Sequence, residues 1–118
     1  MLPRMQCDIV RGCGEAIKTL TAEMDGEEEL FASANTLACV ELSLLAMAQT
    51  MGHLSPALCG RLAWVDWDGW QALRGLLERD VQPRREEVWY GVRSLVPATL
   101  HLIDQLRRHE PVWFEIAY

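Results

Sequence analysis

The stretch LACVELSLLAMAQTMG, residues 37–52, is apolar on most sides, and its apolar residues recur at helical spacing with no strand-like alternation. A helix of that character belongs at the centre of a bundle. Upstream, the acidic run Glu27-Glu28-Glu29 opens the same helix, because carboxylates in a first turn oppose the positive end of the helix dipole. Gly52 stops it, so the sequence predicts one long helix from about Glu27 to Met51. Before it, across the turn Asp25-Gly26, a first helix is expected from Met5 to about Glu23, with Ile9, Ala16, Ile17 and Leu20 as its apolar face.

Downstream, Ser55-Pro56 is an N-cap followed by proline at the first helical position, the start of a short helix to about Leu62. Asp66 caps the next helix, Trp67 to about Arg79, whose Trp67, Trp70, Leu73 and Leu77 share one face. Gln82-Pro83 starts the last, PRREEVWYGVRSLVPATLHLIDQLRRH, with Val88, Val92, Leu95, Val96, Leu102, Ile103 and Leu106 inward. Pro97 is expected to bend it, because proline removes a helix hydrogen bond and clashes with the preceding turn. The fold class that follows is an all-α bundle of four to five helices with a bent last helix, a single domain over residues 1–118. The tail EPVWFEIAY, residues 110–118, carries Trp113, Phe114, Ile116 and Tyr118 after the charged stop Arg107-Arg108-His109. It is expected either to fold back over the bundle or to bury against a second subunit.

A formal net charge of −6 argues against a general nucleic-acid or acidic-membrane binder, since neutralising phosphates takes a basic surface. Arg74, Arg79, Arg84, Arg85 and Arg93 are the one concentrated basic feature, diluted by Glu78, Asp80, Glu86 and Glu87. A solvated, salt-bridged face is the simpler reading of that cluster, and an RNA or phosphate patch at Arg74, Arg79, Arg84 and Arg85 the sharper one. Cys7, Cys13, Cys39 and Cys59 form no CxxC pair and have no histidine at zinc-ligand spacing, so they read as small buried hydrophobes in a reducing cytosol. No metal or cofactor is expected. No run approaches the roughly 18 apolar residues that cross a bilayer, and no signal-peptide core is visible. A cytoplasmic protein is the expectation.

The run WDGWQALRGLLERDVQPRREEVWYGVRSLVPATL, residues 67–100, preceded by a long helix and a short Pro-initiated one, resembles the HepT-like family. These are small helical toxins of bacteria and archaea, paired with minimal nucleotidyltransferase antitoxins. In that family a Trp opens a helix that runs through Leu/Met-Arg-Asn to Arg-x4-His-x-Tyr, and a Val-Trp helix interrupted by Pro follows. Trp67 matches the opening Trp, Leu73-Arg74 the start of the segment, Val88-Trp89 the Val-Trp pair, and Leu95-Val96-Pro97 the helix break. The resemblance covers roughly residues 6–108. It implies a ribonuclease in which Arg and His form the active pair, a Tyr modified with adenylate by the partner, and a two-fold homodimer.

The chain departs from that pattern at the chemistry. Gly75 stands where the family carries Asn, Arg79 where it carries His, and Val81 where it carries Tyr; Arg74 alone remains. RNA cleavage through the 2′-hydroxyl needs a group that exchanges a proton near the working pH, as imidazole does. Guanidinium stays charged, so Arg79 can hold phosphate but cannot shuttle a proton. Val81 has no hydroxyl to accept a nucleotidyl group. Enzymatic activity is therefore not expected at this motif, although His53, His101 and His109 are candidates for a relocated base. Three readings follow. The first is a degenerate HepT-like protein acting as a dimeric partner-binding module for a minimal nucleotidyltransferase, with Trp113, Phe114, Ile116 and Tyr118 as contacts. The second is an active ribonuclease toxin with a rearranged site, and the third a substrate-binding subunit of a nucleotidyltransferase pair. Growth inhibition on expression alone would favour the second, and a neighbouring nucleotidyltransferase reading frame the first or third.

Overall fold

A computed structural model describes residues 2–115, and no strand occurs among them. The helices run α1 (Pro3–Thr21), α2 (Glu27–Ala32), α3 (Ala34–Met51), α4 (Pro56–Arg61), α5 (Trp67–Glu78), α6 (Arg85–Tyr90) and α7 (Val96–His109). A π-helical turn, Gly91–Leu95, joins α6 to α7, and a 3-10 turn, Pro111–Phe114, follows α7. Taking α2 with α3, and α6 with α7, as broken helices gives the five helices of the predicted bundle. No described helix is long and apolar enough to cross a membrane.

The central helix is α3, packed between α1 and α5. It buries Val40, Leu44, Met47, Ala48 and Met51, at about 1.5–3 kcal/mol for each large side chain removed from water. The expected single helix from Glu27 is instead interrupted at Ser33, whose φ of −107° and ψ of 82° are not helical. There the Ser33 hydroxyl donates to the Glu29 carbonyl at 2.9 Å, a local bond of the kind that lets serine compete with the helix ladder. The acidic run still opens α2, as the dipole argument requires.

The first helix faces the other way from the sequence expectation. Its buried stripe is Gln6, Cys7, Val10, Gly14 and Ile17, so only Ile17 of the predicted face is inward, and Ile9, Ala16 and Leu20 are exposed. The inward stripe contains a glycine because α7 comes close: a Cβ built on Gly14 would lie 2.7 Å from a Leu100 methyl. Gly91 answers the same need at the centre, where an added Cβ would meet Leu73 at 3.0 Å and Leu44 at 3.3 Å.

The caps follow the sequence. Ser55 accepts from the Leu58 N–H at 3.2 Å, and Asp66 from the Gly69 N–H at 2.9 Å. Trp70 and Leu73 are buried, Trp67 and Leu77 half-buried. The Trp70 indole N–H donates to the Thr99 hydroxyl at 2.9 Å, joining α5 to α7 inside the core. The bend attributed to Pro97 is taken up as the π turn. The Val96 N–H reaches back to Gly91, and Pro97, having no N–H, supplies no bond to the next carbonyl in that register.

Candidate functional site

Arg74, Gly75, Arg79 and Val81, the positions at which catalytic chemistry was sought in the sequence, lie in the second half of α5 and the turn after it. That turn is a Schellman stop. The Asp80 N–H bonds Leu77 at 3.3 Å, the Val81 N–H bonds Leu76 at 2.9 Å, and Asp80 has a φ of 51°. Arg79 is thus the C-cap and Val81 the exposed second residue beyond it. Arg79 has no ion-pair partner among the described residues, and its guanidinium folds back over Gly75, where a Cβ would lie 2.9 Å from Nη2. Gly75 is therefore covered by the Arg79 guanidinium.

Arg74 turns toward α3. Its Nε donates to Glu78 at 2.5 Å, and its Nη1 lies against Gly52, 2.6 Å from where a Cβ would stand. The Ala48 and Gln49 carbonyls face the same spot, so the guanidinium sits at the negative end of α3, where a cation is favoured. The next residue is His53, exposed, with Nδ1 2.6 Å from the Gln49 carbonyl. Because a carbonyl only accepts, Nδ1 is the donor in this contact. A cavity of about 400 Å³, lined by Gln6, Gln49, Thr50 and His53, adjoins it, and Gln6 donates to the His53 carbonyl at 3.1 Å.

Of the remaining arginines of the basic cluster, Arg84 and Arg85 are ion-paired, and Arg93 is held by an aromatic face alone. Arg84 reaches Glu41 through Nε at 2.7 Å and Nη2 at 3.2 Å, and Asp80 through Nη1 at 2.6 Å. Bonding to Glu41, above all, raises its pKa still further. Arg85 lies over the Phe31 ring at 4.7 Å and 3.6 Å from Glu27, and Arg93 over Trp89 at 5.3 Å. The cluster named in the sequence therefore does not converge on one surface point: Arg84 is tied to α3, Arg85 to α2, and Arg79 to its own helix.

Trp113 and Phe114 pack back on the bundle. Arg107 stacks on Phe114 at 4.8 Å while donating to Asp8 at 3.2 Å, and Trp113 donates to Glu110, itself clamped by Arg61. Ile116 and Tyr118 lie outside the described residues. His101 and His109 are exposed on α7. Burial pushes the Cys7 thiol up to about 11 and also raises Cys13 and Cys59; Cys39 is exposed, not buried as expected. Among the described residues no three His, Cys, Asp or Glu side chains gather as metal ligands would.

The surface that sequence reasoning missed is the outer face of α1. Leu2, Met5, Ile9 and Leu20 are 38–46 % exposed and share one stripe with exposed Gly12 and Ala16. The spacing is that of a helix–helix seam, and no charged residue interrupts the stripe over those positions. Its residues were legible as an apolar face; which way the face points was not. Comparison with protein-family models, curated proteins and solved structures finds no match to this chain.

Proposed function

We propose that this chain is a HepT-like protein without ribonuclease catalysis, acting in the cytoplasm as a dimeric partner-binding module for a minimal nucleotidyltransferase. The observation that carries the reading is the uncharged α1 stripe, since a contiguous exposed apolar face marks an association surface. The stripe is self-complementary about a point between Gly12 and Cys13. In an antiparallel two-fold crossing Ile9 falls opposite Ala16 of the second copy, and Met5 opposite Leu20, large against small and long against long. The helix stop adds to the case: Arg79 and Val81 serve there as C-cap and following residue, and neither exchanges a proton near neutral pH.

Two measurements test the proposal. Light scattering on the purified protein is expected to give a dimer that Ile9→Glu together with Ala16→Glu converts to a folded monomer. RNA cleavage over a pH series is expected to be absent in the wild type and in Arg74→Ala, and to emerge only in Arg79→His. A monomeric wild type would remove the dimeric module. Cleavage by the wild type that Arg74→Ala abolishes would establish the second reading, an active ribonuclease with a relocated base. One observation favours that alternative: Arg74 packs on Gly52, the residue before His53. His53→Ala would then also abolish cleavage.

A further inference from the structure

A second cleft lies away from the α5 stop, between the C-terminal end of α1 and the π turn. It has a volume of about 540 Å³, within the range of small-molecule sites, and its walls include Lys18, Thr19, Thr21, Arg93 and Pro97. In a chain of net charge −6, every charged residue lining this cleft is a cation.

The two cations are held without being neutralised. Arg93 lies over the Trp89 ring at 5.3 Å and makes no ion pair among the described residues, so an aromatic face positions it and leaves its N–H donors available. Lys18 has one carboxylate neighbour, Glu15, at 3.9 Å, and Glu15 lines the adjoining groove and not this cleft. Both side chains of that pair are more than half exposed, so the contact is a weak competitor for the ammonium.

The backbone supplies a second, independent feature. The π turn Gly91–Leu95 places Val92 and Arg93 on the cleft wall, and Pro97, also on the wall, leaves a carbonyl of that turn without its helical donor. A turn of this kind breaks the helix ladder and is found at functional sites more often than elsewhere. On the α1 side the helix ends with its Thr19 and Thr21 carbonyls already accepting from the Ala22 and Met24 N–H groups, and the Thr19 and Thr21 hydroxyl oxygens line the cleft. The cleft therefore combines two cations with a rim of carbonyl and hydroxyl oxygens.

We propose that this cleft binds a small phosphomonoester bearing hydroxyl groups, of the sugar-phosphate class. Lys18 and Arg93 take the phosphate dianion, and the hydroxyls donate to the π-turn carbonyl that Pro97 leaves without a donor and to the Thr19 and Thr21 hydroxyl oxygens. Charge-assisted bonds supply most of the affinity, and the acceptor rim discriminates a polyol ester from the bare anion. The site is independent of the α1 stripe and of Arg74, so it stands or falls apart from the function proposed above.

Nuclear magnetic resonance titration of the full chain tests it, with ribose 5-phosphate, inorganic phosphate and ribose as separate probes at constant ionic strength. Ribose 5-phosphate is expected to saturate below about 10 mM, in the affinity range of a few charge-assisted contacts. Shifts should be confined to residues 18–24 and 91–97, with inorganic phosphate weaker and ribose silent. Lys18→Gln and Arg93→Gln, each retaining the wild-type melting temperature, should each weaken binding at least fivefold. Linear shifts without saturation, shifts spread equally over Arg61 and Arg108, or unchanged affinity in folded Arg93→Gln would overturn the site. Inorganic phosphate binding as tightly as the ester would overturn the assignment of ligand class.

Discussion

Two glycines of α1 have opposite meanings, and the difference is readable only from what surrounds them. Gly12 is mid-helix with nothing within 4 Å of an added Cβ, so it costs the helix backbone entropy and returns no packing. Gly12→Ala is expected to raise unfolding stability by about 0.5–1 kcal/mol in the monomer, measured by urea denaturation at low protein concentration. Gly14, one turn-step away, lies under Leu100, with three of its side-chain atoms between 2.7 and 3.1 Å of an added Cβ. Gly14→Val should lower stability by about 1–3 kcal/mol, because a branched side chain there forces α7 outward. Equal effects at the two positions would mean that α1 and α7 do not approach as described. The same residue-level logic explains the α5 stop. Asp80 tolerates a left-handed conformation, since its short polar side chain can bond locally, and its carboxylate is secured by Arg84 at 2.6 Å.

At the scale of elements, α5 and α7 are registered by one buried polar contact. Trp70 and Thr99 are each at most 2 % exposed, and the indole N–H has the Thr99 hydroxyl as its partner. Thr99→Val keeps the shape and removes the acceptor, so the indole N–H is left buried and unpaired at a cost of about 1–3 kcal/mol. Thr99→Ser should lose much less, and similar losses in the two variants would assign the effect to packing instead. The broken helices express the same competition between local and tertiary demands. Ser33 interrupts the helix that begins at Glu27, and the π turn lets α6 and α7 both reach the core despite Pro97. Val88 and Val92 before the turn and Val96, Ile103 and Leu106 after it are all buried.

For the whole molecule, stability depends on pH through contacts that tie separate helices together. The Tyr90 hydroxyl donates to the Asp66 carboxylate at 2.6 Å, joining α6 to the start of α5. That bond, followed by the Gly69 N–H, lowers the Asp66 pKa below its ordinary value, and the same bond raises the Tyr90 phenol. The Asp66 contribution is present above its unfolded pKa of about 3.9 and is lost as pH falls through the lower folded value. The Tyr90 contribution is present below about pH 10 and is lost as pH rises through the raised folded value. Asp66→Asn preserves a capping side chain but removes the titrating partner, so it should flatten the stability profile on both the acid and the alkaline limbs. Urea midpoints between about pH 2.5 and 11 measure this, and unchanged limbs would exclude the Asp66–Tyr90 bond as their source.

The sequence by itself determined the all-helical class, the central place of residues 37–52, both side-chain caps, the inward residues of the last helix and its break near Pro97. These are written in local chemistry: apolar spacing, oxygen-bearing caps and a missing N–H act within a few residues. That positions 79 and 81 hold Arg and Val, neither of which exchanges a proton near neutral pH, was equally legible, because it follows from identity alone. What tertiary structure decided was orientation and partnership. Ile9, Ala16 and Leu20 form an apolar stripe in either reading, yet they face outward because α7 seats Leu100 on Gly14 and draws the Cys7, Val10, Ile17 side inward. The arginines formed one cluster along the chain, yet Glu41, Phe31 and Gly52, all far from them in sequence, distribute Arg84, Arg85 and Arg74. Contacts between residues dozens of positions apart have no local signature, so only the packed chain assigns them.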